Sequence, residues 1–292
     1  MSRPAAGRPA GMQTGRADVP PPPVVVGVDG SDSARHAAEW AAEVASARRA
    51  PLQLVHAVAG GTQEPPPWLR ELQDAVERVG VDEVERHLVP GPAVDELLVR
   101  SRGAGLLVVG SYGEGARSGM LAGSAALALV EGADCPVAVV RGAAPGLAPP
   151  RQGPVVVGTD ALTDDDALHL GASLAAALGA RLSVLHACSD VTEDAEGLHR
   201  ATSAGTELAG LAAHRLDTCL QPLRAAHPEL SIERHVVADT AVRALLEQAA
   251  GARMVVVGHR RDAGRGRHLG STSRSLVAFA PLPVVVTRPR VG

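Results

Sequence analysis

The strongest constraint on the fold of this chain is that it contains one sequence unit twice. The segment VVVGVDGSDSARHAAEWAAEVA, which begins at Val24, is echoed by VVVGTDALTDDDALHLGASLAAAL, which begins at Val155. Near the end of each unit, GSAALALVEGADCPVAVVR is matched by GSTSRSLVAFAPLPVVVTR. The chain has 292 residues, of which 46% are hydrophobic, so it can fill two cores of ordinary size. We therefore expect two domains of the same fold.

Within each unit, short runs rich in Val and Leu alternate with segments of helical periodicity. In the first unit the runs are VVVGVD, LQLVHAV, VERHLV, LLVVG and VAVV, which predict five buried parallel strands. The segment SARHAAEWAAEVASA predicts the first helix, with Ser31 or Ser33 as its cap. This alternation predicts a doubly wound α/β sheet, whose ligands bind beyond the carboxyl ends of the strands. The second unit carries extra residues that predict a longer second helix over residues 195–227.

Two segments rich in Pro, Gly and Ala mark the domain boundaries. Residues 1–23 have no apolar face and are expected to form a disordered tail. Residues 142–153 have the same character and are expected to link the two domains. The predicted domains therefore span residues 24–141 and 154–292.

A glycine-rich loop follows the fourth predicted strand of the first unit. Gly110, Gly113 and Gly123 let backbone N–H groups approach an anion without interference from a Cβ atom. Ser124 is placed to cap the helix that follows, where the helix dipole is positive. The loop is not a P-loop, because GK[ST] is absent and the chain contains no Lys. The pattern predicts a phosphate-binding site, and the alternative is a structural β-to-α turn.

The spacing of these residues resembles the ATP-binding signature of the universal stress protein family, and the resemblance extends from Val24 to Arg288. It implies two tandem Rossmann-like domains of the adenine nucleotide α-hydrolase-like type, each a five-stranded parallel sheet flanked by helices. It also implies an adenine nucleotide ligand (ATP, AMP or ADP), with or without Mg²⁺. By this matching, base and ribose contacts fall on Gly27, Asp29, Ala57 and Val109, and phosphate-loop contacts fall on Gly110, Tyr112, Gly113, Gly123 and Ser124. The sequence departs from the family at Ala126, where a second hydroxyl is common.

The second unit departs further from the signature. Asp160, Gly258, Gly270, Ser271 and Ser273 occupy the matching positions, but Arg261 replaces the second glycine and the loop is one residue shorter. A side chain is sterically unfavourable where φ is positive, so we expect a different backbone path at Arg261. Side chains of Arg260, Arg261, Arg265 and Arg267 could hold an anion there, or the loop could simply be basic and solvated.

Two other polar features have competing interpretations. Asp29 could accept hydrogen bonds from a ribose, or it could cap the backbone at the start of the first helix. His56 and His186 recur at equivalent positions, but each ends an apolar strand without a second ligand nearby. We therefore favour a structural role for both histidines.

Charge and composition narrow the classes of function. A net charge of −4 and an aromatic content of 1% argue against nucleic acid as the main partner. No apolar run is long enough to cross a membrane, and three unpaired-looking cysteines suit the cytoplasm. The sequence shows no nucleophile and base at a spacing that would indicate an enzyme.

The favoured function is an ATP-binding regulatory module of the stress response, with the first repeat as the competent one. The alternatives are a protein-interaction scaffold that does not bind nucleotide and a slow ATP hydrolase. Because family members usually pair through their last strands, the resemblance also implies an intramolecular pseudo-dimer of the two repeats. It leaves open whether two chains form a homodimer.

Overall fold

The structure of the chain is a computed structural model. It describes residues 20–58, 64–113, 122–160, 166–188, 201–262 and 266–288. Within these ranges, the side chains of residues 201–208, 260–262 and 266–268 are not described. The tail residues 1–19, the loop residues 114–121, residues 195–200 and Arg265 lie outside the described part, so the predictions made for them have no structural counterpart here.

The first repeat alternates strands and helices as its sequence predicts. Its strands are β1 (Val24–Gly27), β2 (Leu52–Val58), β3 (Val84–Pro90), β4 (Leu106–Gly110) and β5 (Val137–Val140). Its helices are α1 (Asp32–Arg48), α2 (Pro67–Glu77), α3 (Ala93–Ser101) and α4 (Ser124–Gly132). Before β1, the carbonyl of Pro23 in the predicted tail accepts a hydrogen bond from the Gly105 N–H at 2.9 Å.

The second repeat follows the same order, and two further short strands are described in it. Its strands are β6 (Val155–Gly158), β7 (Leu182–Ala187), β8 (Ile232–Val237), β9 (Met254–Val257), β10 (Arg260–Asp262), β11 (Gly266–His268) and β12 (Val284–Val286). Its helices are α5 (Asp166–Ala177), α6 (Ala201–Ala226), α7 (Ala241–Ala249) and α8 (Ser271–Phe279). The 26 residues of α6 confirm the prediction of a longer second helix. The short strands β10 and β11 were not predicted, and they form a separate two-stranded sheet.

The remaining strands form one continuous sheet in the described part of the chain. Its order is β3-β2-β1-β4-β5-β12-β9-β6-β7-β8. Every neighbouring pair within a repeat is parallel. The two halves meet where β5 pairs antiparallel with β12, and Ala138 lies opposite Val285. The fold is therefore α/β, with the parallel half-sheets and flanking helices that the sequence predicts.

A hydrophobic core lies on each face of this sheet, and each core includes residues from both repeats. On one face the sheet packs against α1, α2, α5 and α6, and the core there includes the buried Trp40. On the other face it packs against α3, α4, α7 and α8. Because each core crosses the β5–β12 boundary, the repeats share their packing as well as their sheet. No helix in the described ranges has both the length and the apolar character needed to span a bilayer.

Ion pairs add to the contact between the repeats on the α1 face. The guanidinium of Arg151, in the linker, contacts Glu43 and lies 3.0 Å from Glu39, both on α1. Arg253, which comes just before β9, lies 3.9 Å from Glu43. Burial is the main reason why the pKa of Arg253 is lowered from its ordinary value. The linker and the second repeat thus both bind the first helix of the first repeat.

Candidate functional site

The carboxyl ends of β1 and β4 bring Asp29 and Gly113 together. Asp29 Oδ1 accepts hydrogen bonds from the Ser31 backbone N–H at 3.1 Å and from the Ser31 hydroxyl at 2.7 Å. The other carboxylate oxygen, Oδ2, would lie only 2.7 Å from a Cβ atom built on Gly113. Ser31 is the N-cap of α1, as predicted, and its hydroxyl accepts a hydrogen bond from the Ala34 N–H at 3.1 Å. Asp29 therefore braces the start of α1 with one oxygen and faces the Gly113 backbone with the other.

Gly110 is needed at the end of β4 because the first turn of α1 lies directly against it. A Cβ atom at Gly110 would lie 2.5 Å from Ser33 Oγ and 2.8 Å from the Ser33 backbone carbon. Ser33 is 4% exposed, and its hydroxyl accepts a hydrogen bond from the Tyr112 N–H at 3.4 Å. Ser33 was considered only as a helix cap, but the structure uses it to join α1 to the loop after β4.

The two described ends of the glycine-rich loop are joined to each other. The Gly123 N–H donates a hydrogen bond to the Ser111 carbonyl at 2.7 Å, so this amide closes the loop. Gly123 is also the N-cap of α4, with φ −63° and ψ 158°, and no side chain caps the helix. The prediction that Ser124 caps α4 is therefore wrong, because the extended N-cap conformation falls one residue earlier. Ser124 is instead the exposed first residue of the helix.

Gly27, Ala57 and Val109 lie on the neighbouring strands β1, β2 and β4. A Cβ atom at Gly27 would lie 2.7 Å from Leu97 Cδ1 and 3.4 Å from Val109 Cγ1. Val109 is 7% exposed, and the half-buried Ala57 packs against the same core. These residues supply an apolar surface across three neighbouring strands, and Gly27 lets α3 approach the sheet.

The side chain of Tyr112 contacts the linker between the repeats. Its hydroxyl accepts a hydrogen bond from the Gly146 N–H at 3.2 Å. Tyr112 and Gly146 also line a small cavity together with Ser111, Ser33 and His36. The backbone of Tyr112 thus belongs to the phosphate-loop region, while its phenol ring reaches a part of the chain that the sequence did not associate with the site.

The recurring histidines both bind backbone carbonyl oxygens. His56 Nδ1 lies 2.9 Å from the Val28 carbonyl oxygen, and His186 Nδ1 lies 2.9 Å from the Thr159 carbonyl oxygen. The His56 ring also packs edge-on against Trp68, with 5.0 Å between the ring centroids. These contacts support the structural role favoured from the sequence. Among the described residues, no group of three or more His, Cys, Asp and Glu side chains is arranged to hold a metal ion.

Trp68 borders the site without having been singled out from the sequence. Its indole Cε2 would lie 3.1 Å from a Cβ atom at Gly30, which has a φ of +84°. Gly30 needs this conformation to turn the chain from Asp29 into α1. The available signal was the position of Trp68 at the start of the helix after β2, but a lone Trp in a helical pattern more often indicates core packing.

At the same edge of the second half-sheet, the structure repeats some of these features. Gly158 at the end of β6 lies under Leu245, with 2.8 Å from a built Cβ to Leu245 Cδ1, as Gly27 lies under Leu97. Asp160 lies beyond β6 and is exposed. The five residues that follow Asp160 are outside the described part.

The loop after β9 differs from its counterpart in the first repeat. Among the residues whose side chains are described, a Cβ atom at Gly258 would meet only Thr287 Oγ1, at 4.0 Å, whereas one at Gly110 would overlap α1. The hydroxyl of Ser273, which is 4% exposed, donates a hydrogen bond to the Gly258 carbonyl at 2.9 Å. Ser273 therefore binds the backbone, and the missing hydroxyl at the equivalent Ala126 removes a loop contact of this kind.

Gly113, the glycine that Arg261 replaces, does not have a positive φ, so the reason for expecting a different backbone path at Arg261 was wrong. Arg261 lies in the short strand β10. β10 and β11 pair antiparallel, and Arg261 lies opposite Arg267. Gly270 is the N-cap of α8, and Ser271 is the exposed first residue of that helix. The second repeat thus retains the helix start, and a hairpin precedes it.

Comparison with known proteins finds the same family in both sequence units. The sequence model of the universal stress protein family matches residues 22–141 and again residues 153–288. The chain belongs to the universal stress protein family. A universal stress protein of Mycobacterium tuberculosis H37Rv is 32% identical over 289 residues, covering 91% of this chain and 96% of the relative. One of Mycobacterium bovis is 34% identical over 289 residues, with the same coverage.

Solved structures agree with this assignment at the level of fold. The crystal structure of a universal stress protein from Archaeoglobus fulgidus superposes with a TM-score of 0.60 at 16% identity, covering 91% of this chain and 97% of the other. A protein of unknown function from Pseudomonas aeruginosa gives a TM-score of 0.63 at 16% identity and 92% coverage of both chains. Both matches extend over the two repeats of this universal stress protein.

Proposed function

We propose that this universal stress protein binds an adenine nucleotide in its first repeat and acts as a regulatory module of the stress response. The observation that carries the proposal is the approach of the Gly113 backbone to Asp29 Oδ2, where even a methyl group would overlap the carboxylate. Because no side chain stands between them, one ligand at this edge of the sheet can contact the Gly113 backbone and the Asp29 carboxylate together. ATP is the nucleotide that we favour, and AMP and ADP fit the same elements.

Each end of the nucleotide has a proposed partner. The Asp29 carboxylate accepts hydrogen bonds from the ribose hydroxyls, at the end of β1 where its Oδ2 faces the Gly113 backbone. The base lies over the apolar surface of Gly27, Ala57 and Val109. This division follows the chemistry of the site, which is apolar along the strands and polar where they end.

The phosphates are proposed to lie at the start of α4. The chain has no Lys, so the attraction for phosphate must come from Arg side chains, from a metal ion, or from backbone N–H groups at the positive end of the helix dipole. Gly110, Gly113 and Tyr112 contribute the backbone before the loop, and Gly123 and Ser124 contribute the helix start. Because the Gly123 N–H already binds Ser111, the exposed hydroxyl and amide of Ser124 are the more important donors at this end. Mg²⁺ is proposed only as a companion of the phosphates.

The second repeat is proposed to bind nucleotide weakly or not at all. Asp160, Gly258, Gly270, Ser271 and Ser273 remain, but the Ser273 hydroxyl is committed to the backbone and a hairpin precedes the helix start. The same features favour a scaffold role for this repeat, which is the second function that we retain. A scaffold role for the whole chain would leave its activity unchanged when Gly113 is replaced.

We further propose that the protein acts as one pseudo-dimeric unit in the cytoplasm and turns over little or no ATP. The antiparallel contact of β5 with β12 supports the pseudo-dimer, because it joins the last strands of the two repeats as a dimer of single repeats would. All three cysteines lie in the described part of the chain and none forms a disulfide, which suits a reducing compartment.

The proposal is tested by identifying and then restoring the ligand. Purified protein is denatured and any released nucleotide is identified by chromatography, after which ATP is titrated into the stripped protein with and without Mg²⁺. The same titration is made with Gly113→Ala and with Gly103→Ala, a matched control at a glycine whose built Cβ has no neighbour within 4 Å. Displacing Asp29 should weaken binding about 10- to 100-fold, because a hydrogen bond to a charged group is lost.

Binding by the parent and the Gly103→Ala variant, with weaker binding by Gly113→Ala, would support the site. A parent protein that carries no nucleotide and ignores ATP would reject it and favour the scaffold. Equal affinities for all three proteins would show that ATP binds elsewhere. ATP turnover that is lost in Asp29→Asn, measured in the same samples, would instead support the hydrolase alternative.

A further inference from the structure

Two buried arginines cross the boundary between the repeats, and each binds the carboxyl end of a helix in the other repeat. Arg141, which follows β5, donates hydrogen bonds to the carbonyls of Val277 and Ala278 in the last turn of α8, at 2.7 and 2.9 Å. Arg288, which follows β12, donates to the Val130 carbonyl in the last turn of α4 at 3.2 Å and also to the carbonyl of the next residue. Each repeat therefore holds the carboxyl end of the other repeat's last helix.

The arginines supply a charge that both helices lack. Neither α4 nor α8 has a basic residue in its own last turn, where a positive charge would interact favourably with the helix dipole. In α4, Glu131 places a negative charge there instead. Arg141 is 9% exposed and Arg288 is 8% exposed, so water screens these contacts poorly.

These contacts are not symmetric, because two further side chains of the second repeat contact the end of α4. His259 Nε2 lies 3.3 Å from the Val130 carbonyl oxygen, which Arg288 also contacts. Arg274 Nη2 of α8 lies 2.5 Å from the Glu131 carboxylate. His259 follows Gly258 in the loop that departs from the nucleotide-binding signature. The altered loop of the second repeat thus contacts the helix that follows the glycine-rich loop of the first.

The opposite end of α4 is the proposed phosphate end. Its N-cap, Gly123, is joined to Ser111, and Ser124 is its exposed first residue. α4 has nine residues, so a displacement of its last turn moves the first turn as well.

We propose that the second repeat positions the phosphate-binding end of α4 in the first repeat, with Arg288 as the positioning residue and His259 as its neighbour. The inference rests on the proposed function for its ligand, but the placement of α4 can be measured without nucleotide. It gives the second repeat a role that needs no nucleotide of its own, since the hairpin of β10 and β11 and His259 lie where that repeat's phosphate loop would be.

Hydrogen–deuterium exchange on the full chain tests the placement of α4. In Arg288→Gln, amides of residues 122–133 should exchange about fivefold faster or more, while those of residues 270–280 change little. The matched variant Arg141→Gln should show the reverse pattern. Arg151→Gln, which removes an inter-repeat arginine that contacts α1, should change neither segment. If Arg288→Gln does not fold, Arg288→Lys is used in its place. It keeps the charge, so it should accelerate exchange at residues 122–133 by less than is expected for Arg288→Gln.

Unchanged exchange at residues 122–133 would overturn the inference, as would equal acceleration of both segments in both variants, which would indicate a general loosening. ATP titration completes the test: Arg288→Gln should bind about fivefold more weakly than the parent, and Arg151→Gln should bind as the parent does. Faster exchange with unchanged affinity would contradict a role in positioning the phosphate site. A parent that binds no ATP would reject the proposed function, while the exchange data would still decide whether Arg288 positions α4.

Discussion

The same substitution at two equivalent glycines should have opposite effects on stability. In Gly110→Ala the new Cβ would lie 2.5 Å from Ser33 Oγ and 2.8 and 2.9 Å from Ser33 backbone atoms, so the first turn of α1 must move. Overpacking of this kind costs about 1–3 kcal/mol of unfolding free energy. In Gly258→Ala the Cβ has one neighbour within 4.0 Å among the described side chains, and the lower entropy of the unfolded chain should stabilise the protein by about 0.4–1 kcal/mol.

The assay is urea unfolding of both variants and the parent, followed by circular dichroism. The two variants should differ by about 1.4–4 kcal/mol, with the parent between them. Because the repeats share one sheet and two cores, stability is compared through the urea concentration at the midpoint of unfolding, for transitions of equal slope. Equal stability of the two variants would refute the reasoning, since it would mean that α1 does not press on the end of β4 as described.

Three further predictions concern side chains that are not proposed to contact the ligand. Burial raises the pKa of the Cys135 thiol to about 12, so a thiol reagent at pH 8 should label it only after unfolding. Between pH 9 and 12 the thiol ionises in the unfolded chain but not in the folded one, so the free energy of unfolding should fall by about 1.4 kcal/mol per pH unit. Cys135→Ala should lack this contribution. His186→Ala should cost about 1 kcal/mol of unfolding free energy for its lost hydrogen bond, and His56→Ala should cost more because it also loses the packing on Trp68; equal losses would contradict this. Arg151→Gln should lower stability by about 1 kcal/mol at low salt and less in 1 M NaCl, and a loss that does not depend on salt would argue against its ion pairs.

The duplication and its periodicities were enough to predict the strands of the ten-stranded sheet, its parallel halves and the longer α6. These features depend on apolar patterns that repeat, and patterns of this kind survive changes in individual residues. Local capping was harder to predict. Ser31 caps α1 because Asp29 and a glycine turn place it in an extended conformation, whereas Ser124 lies one residue too late to cap α4.

The side-chain contacts between the repeats were not predictable from sequence patterns. Arg141 and Arg288 end the matching segments VAVVR and VVVTR, but only the antiparallel β5–β12 contact brings each to a helix of the other repeat. Two other contacts also join residues that are far apart in the sequence: the Ser273 hydroxyl binds the Gly258 carbonyl, and the Tyr112 hydroxyl binds the linker. Such contacts are set by three-dimensional packing, which has no fixed spacing along the chain.

The most direct test of the central claim is to count the ATP molecules that bind to each chain of the stripped protein. Equilibrium dialysis with labelled ATP should give one bound nucleotide per chain, lost in a variant that combines Gly113→Ala with Asp29→Asn. Two nucleotides per chain would contradict the assignment to the first repeat, and none would contradict nucleotide binding altogether.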